Sequence, residues 1–423
     1  MKPSPSILQA ERQVKGMPSR GELPNLLIVS DSPFSTVQGL GVQLTNLLED
    51  WPTERLALLH SAWSSTAKLP FTAGRCYREA LFRAPGPGGR LDWARYACGR
   101  APAWRDRVSR SWHRRWLGDW RPQLILAYLL DGQTLIYASA LAQTFRVPFA
   151  VHITDDIQLA PPYATEEKLG VALGTASARV ANSEEMRHAY ERRFAREFHA
   201  FHNGASRAMA AAATHRVPPR SVPIVRYLGG VKSIQHGALR ALAAAAPAVG
   251  LRLEIYGVWD DGLDRSFVDG KWVHFGGRVD DHESWRQLIG SADFLLNPVA
   301  FDPTLALSIR FSFPTKLLEG FAAGTPVFAY GPADSSPVRF CVDHGLGWTV
   351  TEESPAVLAA LVERYRLEPN NFRQKALADQ ALVFERFDLE RIRGRYWRLL
   401  AAAALSPNGT KFRPLPARSP VDS

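Results

Sequence analysis

The sequence predicts an α/β protein of two tandem, doubly wound domains, each a parallel sheet covered by helices. Three observations carry this. Short apolar runs alternate with stretches of helical spacing, as in sheets buried on both faces. The alternation stops over residues 204–223, a stretch rich in Ala, Pro, Ser and Arg, and then restarts, which marks a second domain. The 423 residues, 46% hydrophobic and 22% charged, are enough to bury two or three cores without disulfides or metals.

In the first half, Leu26–Ser30 (LLIVS) reads as a buried strand. A helix follows over Gly39–Asp50, with Val42, Leu44, Leu47 and Leu48 at helical spacing. Strands are expected at Leu56–His60, Leu124–Leu130, Pro148–Ile153, Ala178–Ala181 and Phe198–Phe201. Helices are expected up to about Arg146 and over Glu184–Ala195. In the second half, strands are expected at Ile224–Leu228, Leu251–Tyr256, Val273–Phe275, Phe294–Leu296 and Val327–Tyr330. Helices fall over Ser233–Ala248, about Pro314–Ala323, Pro355–Tyr365, Asn371–Phe384 and Leu389–Ala404. The resulting division is a disordered lead (1–22), a first domain (23–205), a linker (206–223) and a second domain (224–384). A final helix (385–404) is placed to pack back on the first domain, and 405–423 is a loose tail. Ligands of such sheets bind at the carboxyl ends of the strands, so the cleft between the domains is the expected site.

Composition excludes several classes. Disorder, collagen and coiled coil do not fit the bulk of the chain. No apolar run approaches the roughly 18–20 residues of a membrane span, and MKPSPSILQAERQVKG lacks the apolar region of a secretory signal. Cys76, Cys98 and Cys341 are odd in number and far apart, so reduced thiols in a cytoplasmic protein are expected. The net charge of +10 favours anionic partners without choosing among them.

The most informative segment is SFPTKLLEGFAAGTPVFA, residues 312–329. Pro314 suits the start of a helix, whose first N–H groups form an anion site. Lys316 lies in that first turn, where a cation opposes the helix dipole. Lys316 and Glu319 share a face, but Lys before Glu is the weaker order for helix stability. A bound diphosphate explains the placement: N–H groups and the ammonium neutralise it, while the carboxylate accepts from ribose hydroxyls. A plain surface salt bridge is the competing reading.

FPTKLLEGFAAGTPVFAYG, with the preceding HFGGRVDDHESWRQLIGSADFLLNP, resembles the donor-binding region of retaining, nucleotide-sugar-dependent family 4 glycosyltransferases. These have two Rossmann-like domains, the GT-B architecture. RYLGGVKSIQHGAL resembles the first strand and loop of their second domain. VANSEEMRHAY, FHNGAS and LLIVSDSPFSTVQGLGVQL resemble, more weakly, parts of their first domain, so the likeness spans roughly residues 24–402. It implies that Glu319 binds the donor ribose, that Lys316, Thr315 and Pro314 hold the diphosphate, and that Gly229 and Gly230 approach the donor. Two positions depart from the family. Phe311 stands where a first glutamate is frequent, and Gly230 where an arginine is frequent. Lys232, Arg226 and Arg278 are the candidate replacement cations.

VHITDD, residues 151–156, ends a strand facing the cleft. The resemblance places His152 near the reacting carbon of the donor sugar; a hydrogen-bonded structural histidine is the alternative. Asp155 and Asp156 either position the acceptor or cap the following turn. Gly39 and Gly41 lack the third glycine of a dinucleotide fingerprint. They either let donor or acceptor approach the backbone or simply turn the chain. His202–Asn203–Gly204 is expected to form a tight turn into the linker. The segment Arg75–Arg121 interleaves many arginines with Trp93, Trp104, Trp112, Trp116 and Trp120, which suits contact with an anionic membrane. A helix with a buried Trp face is the alternative, and no recognition motif for nucleic acid accompanies the charge.

The expected activity is transfer of a sugar, with retention, from a nucleoside diphosphate donor to a glycan or lipid-linked glycan hydroxyl in bacterial surface polysaccharide or glycolipid synthesis. The expected location is the cytoplasm, at the inner face of the membrane. No cofactor and no essential metal are expected. A non-catalytic sugar-nucleotide-binding scaffold, a sugar-nucleotide epimerase of the same architecture and a basic nucleic-acid-binding protein remain open alternatives.

Overall fold

The computed structural model describes residues 18–30, 32–35, 39–60, 74–78, 113, 115–129, 131–157, 165–279, 281–305, 310–311 and 313–406. The first domain holds β1 (Leu26–Ser30), α1 (Gly39–Leu48), β2 (Leu56–His60), β3 (Arg75–Arg78), β4 (Leu124–Leu129) and α2 (Gly132–Phe145). It continues with β5 (Phe149–Ile153), α3 (Glu166–Thr175), β6 (Ala178–Ala181), α4 (Glu184–Phe194) and β7 (His199–Ala200). Its seven strands are parallel and ordered β3-β2-β1-β4-β5-β6-β7. The second domain has β8 (Ile224–Leu228), α5 (Ser233–Val249), β9 (Arg252–Tyr256), β10 (Val273–Gly277), α6 (His282–Gly290) and β11 (Phe294–Pro298). Then come α7 (Thr315–Ala322), β12 (Val327–Tyr330), α8 (Ser336–His344), β13 (Trp348–Val350), α9 (Pro355–Leu367) and α10 (Pro369–Phe387). Its six strands are parallel and ordered β10-β9-β8-β11-β12-β13. In each sheet the winding direction reverses once, between β1 and β4 and between β8 and β11, and such reversals open a crevice at the strands' carboxyl ends.

The central strands are buried along their whole length, which is why they read as unbroken apolar runs. Helix ends follow local chemistry. Asp131 accepts hydrogen bonds from the N–H groups of Gln133 and Thr134 and starts α2. Arg146, at φ 56°, closes the same helix in the left-handed region. Ser183 starts α4 by accepting from the Met186 N–H.

The domains are tied together along α7 and the final helix, α11 (Leu389–Leu405). Phe313, Leu317, Leu318 and Phe321 share one buried apolar cluster with Leu26, Ile28, Leu44 and Leu47 of the first domain. α11 lies on that domain. The Trp397 indole donates to the Leu47 carbonyl at 2.8 Å, and Arg393 donates to the Asn46 carbonyl at 2.8 Å and to Glu49 at 2.7 Å.

The chain crosses between domains twice, at 203–205 and 387–389, and the crossings touch. Ala205 bridges Asp388, and a Cβ on Gly204 would lie 2.4 Å from the Leu389 Cα. Residues 202–204 run without a turn, so the tight turn expected there is absent; Gly204 serves this close approach instead. Within 206–223, Arg207–His215 forms a 3-10 helix packed on α6, where a Cβ on Gly290 would come 1.9 Å from the Ala212 carbonyl oxygen.

Of the basic segment, 79–112 and Arg114 lie outside the described residues, with Trp93, Trp104, Trp112 and Cys98. Trp116 and Trp120 pack against the first-domain core, and the Trp120 indole donates to the Glu54 carbonyl. Cys341 is a buried free thiol. No helix among the described residues is long and apolar enough to cross a membrane.

Candidate functional site

A half-open recess of about 260 Å³, solvent space included, lies at the reversal point of the second sheet. Arg226 and Leu228 of β8, Leu295, Leu296 and Asn297 of β11, Trp285 and Ile289 of α6, and Lys316, Glu319 and Gly320 of α7 line it. α7 aims its two charged residues there because its other side is apolar: Leu317, Leu318 and Phe321 are buried against the interdomain cluster. The helix begins one residue later than the sequence suggested. Pro314 is its N-cap, with φ −69° and ψ 123°, and offers no side-chain acceptor to the first-turn N–H groups. Thr315 is the first helical residue; its side chain lies outside the description.

Lys316 and Glu319 meet a third residue that sequence reasoning left without a role. The Lys316 Nζ sits 4.0 Å from the centroid of the Trp285 ring, and the Trp285 Nε1 donates to Glu319 Oε2 at 3.2 Å. Burial holds the Lys316 ammonium below the ordinary lysine range, and the neighbouring Glu319 carboxylate partly offsets this. The only sequence signal for Trp285 was its place one turn before Leu288 and Ile289 in a helical stretch, which a core tryptophan would share.

Of the three candidate replacement cations, Arg226 forms the floor of the recess rather than a free clamp. Its Nε and Nη2 donate to Glu254 Oε2 at 2.9 and 2.7 Å, and its Nη1 donates to Ser291 Oγ and the Leu288 carbonyl. Both partners of this ion pair are buried. Four of its five N–H groups are thus engaged within the protein, which makes Arg226 part of the packing of the second domain.

Lys232 is placed differently. It is exposed at the N-cap of α5, and its ammonium has no ion-pair partner among the described residues. Gly229 and Gly230 precede it, beyond the carboxyl end of β8. A Cβ on Gly229 would lie 2.6 Å from the Tyr227 hydroxyl, which donates to the Gly230 carbonyl at 2.7 Å and fixes the loop. A Cβ on Gly230 would meet nothing closer than 3.7 Å, and the Lys232 Cε lies 3.9 Å from that point. The lysine stem therefore runs beside the space that a side chain at 230 would fill. Replacing Lys232 with Ala is expected to weaken nucleoside diphosphate binding about tenfold, the scale of one charge-assisted contact. Adding Gly230→Arg to that variant should restore most of the loss in a calorimetric titration. Arg278 is exposed just past β10.

The structure does not bring His152 to the recess. It is 0% exposed beneath α11, with Nδ1 3.2 Å from the Tyr396 hydroxyl and its ring 4.8 Å from that of Tyr128. The C-terminal helix covers that face of β5, so His152 is packed inside the fold and does not line the recess. Desolvation lowers the His152 pKa to about 3, so the folded protein holds it neutral while the unfolded chain protonates it near pH 6.5. The resulting stability is complete above pH 6.5 and is lost as pH falls toward 3. A His152→Gln variant should flatten that fall by about one proton, ~1.4 kcal/mol per pH unit, in denaturant titrations between pH 6 and 4.

Asp156 is buried and accepts from the Tyr190 hydroxyl at 2.9 Å, with Arg193 at 3.6 Å. That makes it part of the packing of α4 against β5. Asp155 is half-buried in the bend after β5. Gly39 opens α1, and a Cβ on Gly41 would come 2.5 Å from the Pro33 carbonyl, so Gly41 allows the β1–α1 loop to fold onto the helix. Phe311 is buried with the apolar cluster of the first domain, so a residue of the second domain closes onto the first where the resemblance led one to look for a glutamate. Among the described residues no cluster of His, Cys, Asp or Glu could hold a metal.

No family model and no curated relative matches the chain. Solved structures do. HepE from Anabaena, in complex with UDP and glucose, superposes with TM-score 0.62 at 18% identity, covering 88% of this chain and 98% of that one. Sucrose-phosphate synthase from Thermosynechococcus elongatus gives 0.64 at 19% identity, covering 89% and 99%. The lipopolysaccharide outer core galactosyltransferase WaaB gives 0.56 at 14% identity, covering 90% and 99%. With its two parallel sheets flanked by helices, the chain shares the fold of these structures, the GT-B architecture.

Proposed function

We propose that the protein is a retaining glycosyltransferase that moves a sugar from a nucleoside diphosphate to a hydroxyl. The observation that carries this reading is the pairing of Lys316 and Glu319 on one recess at the reversal point of the second sheet, beside a helix start with no side-chain cap. In the reaction the bond between the anomeric carbon and the diphosphate oxygen breaks. A new bond forms to the acceptor oxygen, whose proton is released. Negative charge grows on the leaving diphosphate, and the Lys316 ammonium, the first-turn N–H groups of α7 and Lys232 are the groups suited to meet it. Glu319 would accept from the ribose hydroxyls and set the donor's register. A cleft between two domains keeps water from the donor.

For the acceptor, we propose a glycan or lipid-linked glycan of a bacterial surface. WaaB, which shares the fold, is a lipopolysaccharide outer core galactosyltransferase, and the Arg- and Trp-bearing segment Arg75–Arg121 suits an anionic membrane face. Co-sedimentation with anionic but not neutral vesicles at moderate salt tests that contact; equal pelleting with both ends it.

Thermal melting with UDP, GDP, dTDP and ADP tests the donor reading. One of the four should raise the midpoint in proportion to its logarithmic concentration, since a ligand of the native state stabilises it. No shift with any of them would count against the reading. Product analysis with the matching sugar nucleotide then separates the alternatives: a glycosylated acceptor for the transferase, an epimerised donor for the epimerase, unchanged donor for a scaffold.

A further inference from the structure

Lys316 and Glu319 are long, flexible and oppositely charged, and at this spacing on a helix they can fold onto each other. Collapsed in that way, each would neutralise the other, and a ligand would have to separate them. The Trp285 indole gives each a separate hold. Its N–H donates to Glu319 Oε2 at 3.2 Å, a bond strengthened by the carboxylate charge. Its ring face, 4.0 Å from the Lys316 Nζ, attracts the ammonium without accepting a conventional hydrogen bond. Trp285 is itself held firmly. Asp281 caps α6 by accepting from the Ser284 N–H at 2.7 Å, and Gly290 at the helix end lies against the Ala212 carbonyl.

We propose that Trp285 is the positioning residue of this recess, holding the Glu319 carboxylate and the Lys316 ammonium apart and in register for a nucleoside diphosphate. The proposal rests on the donor-site reading above and adds to it a residue that acts through two others. Trp285 need not touch the ligand to matter. It sets where the two charges stand before the ligand arrives, which lowers the ordering cost of binding.

A double-mutant cycle tests it. Trp285→Phe keeps an aromatic face under the ammonium and removes the N–H. Binding of the best of UDP, GDP, dTDP and ADP is measured by calorimetry for wild type, Trp285→Phe, Glu319→Ala and the double variant. Loss of the N–H should weaken binding about tenfold in the wild-type background, the scale of a hydrogen bond to a charged group. In the Glu319→Ala background the same change should weaken it less than about twofold, because its partner is already gone. Equal weakening in both backgrounds, or none in either, overturns the proposal.

A ligand-free arm keeps the two readings separable. Trp285→Leu removes both holds, and the pH midpoint for acylation of Lys316 is read by peptide mass. Among the described residues, the charged groups lining the recess with Lys316 are Glu319 on its own helix and Arg226 from β8, itself paired with Glu254. Opening the recess to water and freeing Glu319 to approach both favour the charged ammonium and together outweigh the lost ring contact, so the midpoint should rise in Trp285→Leu; Trp285→Phe, which frees Glu319 and keeps the ring face, should raise it too. An unchanged or lower midpoint in Trp285→Leu contradicts the proposal. If no nucleoside diphosphate binds the wild-type protein, the donor reading fails and this arm alone decides the role of Trp285.

Discussion

Replacing Lys316 with alanine is expected to lower kcat for sugar transfer by about 10²–10³-fold, the cost of losing one group preset against developing charge. The donor KM should change much less, because the diphosphate gains most of its negative charge only as the bond to the sugar breaks. Glu319→Ala is expected to act the other way, chiefly through KM, since a ribose contact is made equally in ground and transition states. Both variants should fold. α7 is anchored by Leu317, Leu318 and Phe321 on its opposite side, and the two substituted side chains face the recess. Steady-state kinetics with the donor found by melting, beside melting curves of the free proteins, check both statements. Near-wild-type turnover in Lys316→Ala, together with a near-wild-type donor KM in Glu319→Ala, would remove both residues from the site.

Arg226→Met is expected to destabilise the second domain by about 3 kcal/mol, the lower end of the cost of breaking a buried ion pair, because Arg252 stays 3.4 Å from the other oxygen of Glu254. Glu254 would then remain in a buried position, facing the lost guanidinium across neighbouring strands. Replacing both residues together, Arg226→Met with Glu254→Leu, should cost clearly less than the single change. Urea titrations of the three proteins measure this. The contrast matters because a phosphate-clamping arginine behaves differently: its loss would spare stability and weaken nucleotide binding. A stable Arg226→Met protein with poor nucleotide affinity would reverse the structural assignment made here.

The sheets were legible in the sequence because their central strands are buried on both faces. LLIVS, LALLH, IVRYL and VFAY are strands with the bounds their apolar content suggests. Other elements carried weaker signals. α8 opens Ser-Pro, and its buried Val338, Phe340 and Cys341 are interspersed with charge. β13 is three residues long, too short for a period-2 pattern. β3 lies inside the arginine-rich segment, and α3 has few apolar residues to mark a face.

The site was legible where its chemistry is local, as with Pro314, Lys316 and Glu319 within one helical turn and a half. It was not legible where it depends on distant partners. Arg226 looked available because Glu254 stands beside it only once β8 and β9 pair in register. His152 looked like a strand-end ligand, and the residue that covers it, Tyr396, is 244 positions away. Trp285 reaches Glu319 from another helix, across 34 positions, and nothing in its own neighbourhood announces the contact.

The most direct test is a crystal structure of the protein with the nucleoside diphosphate that stabilises it best. The diphosphate should lie against the first turn of α7 near Thr315, within hydrogen-bonding reach of Lys316, with the ribose on Glu319. Clear density for the nucleotide elsewhere on the molecule, with that turn empty, would contradict the account.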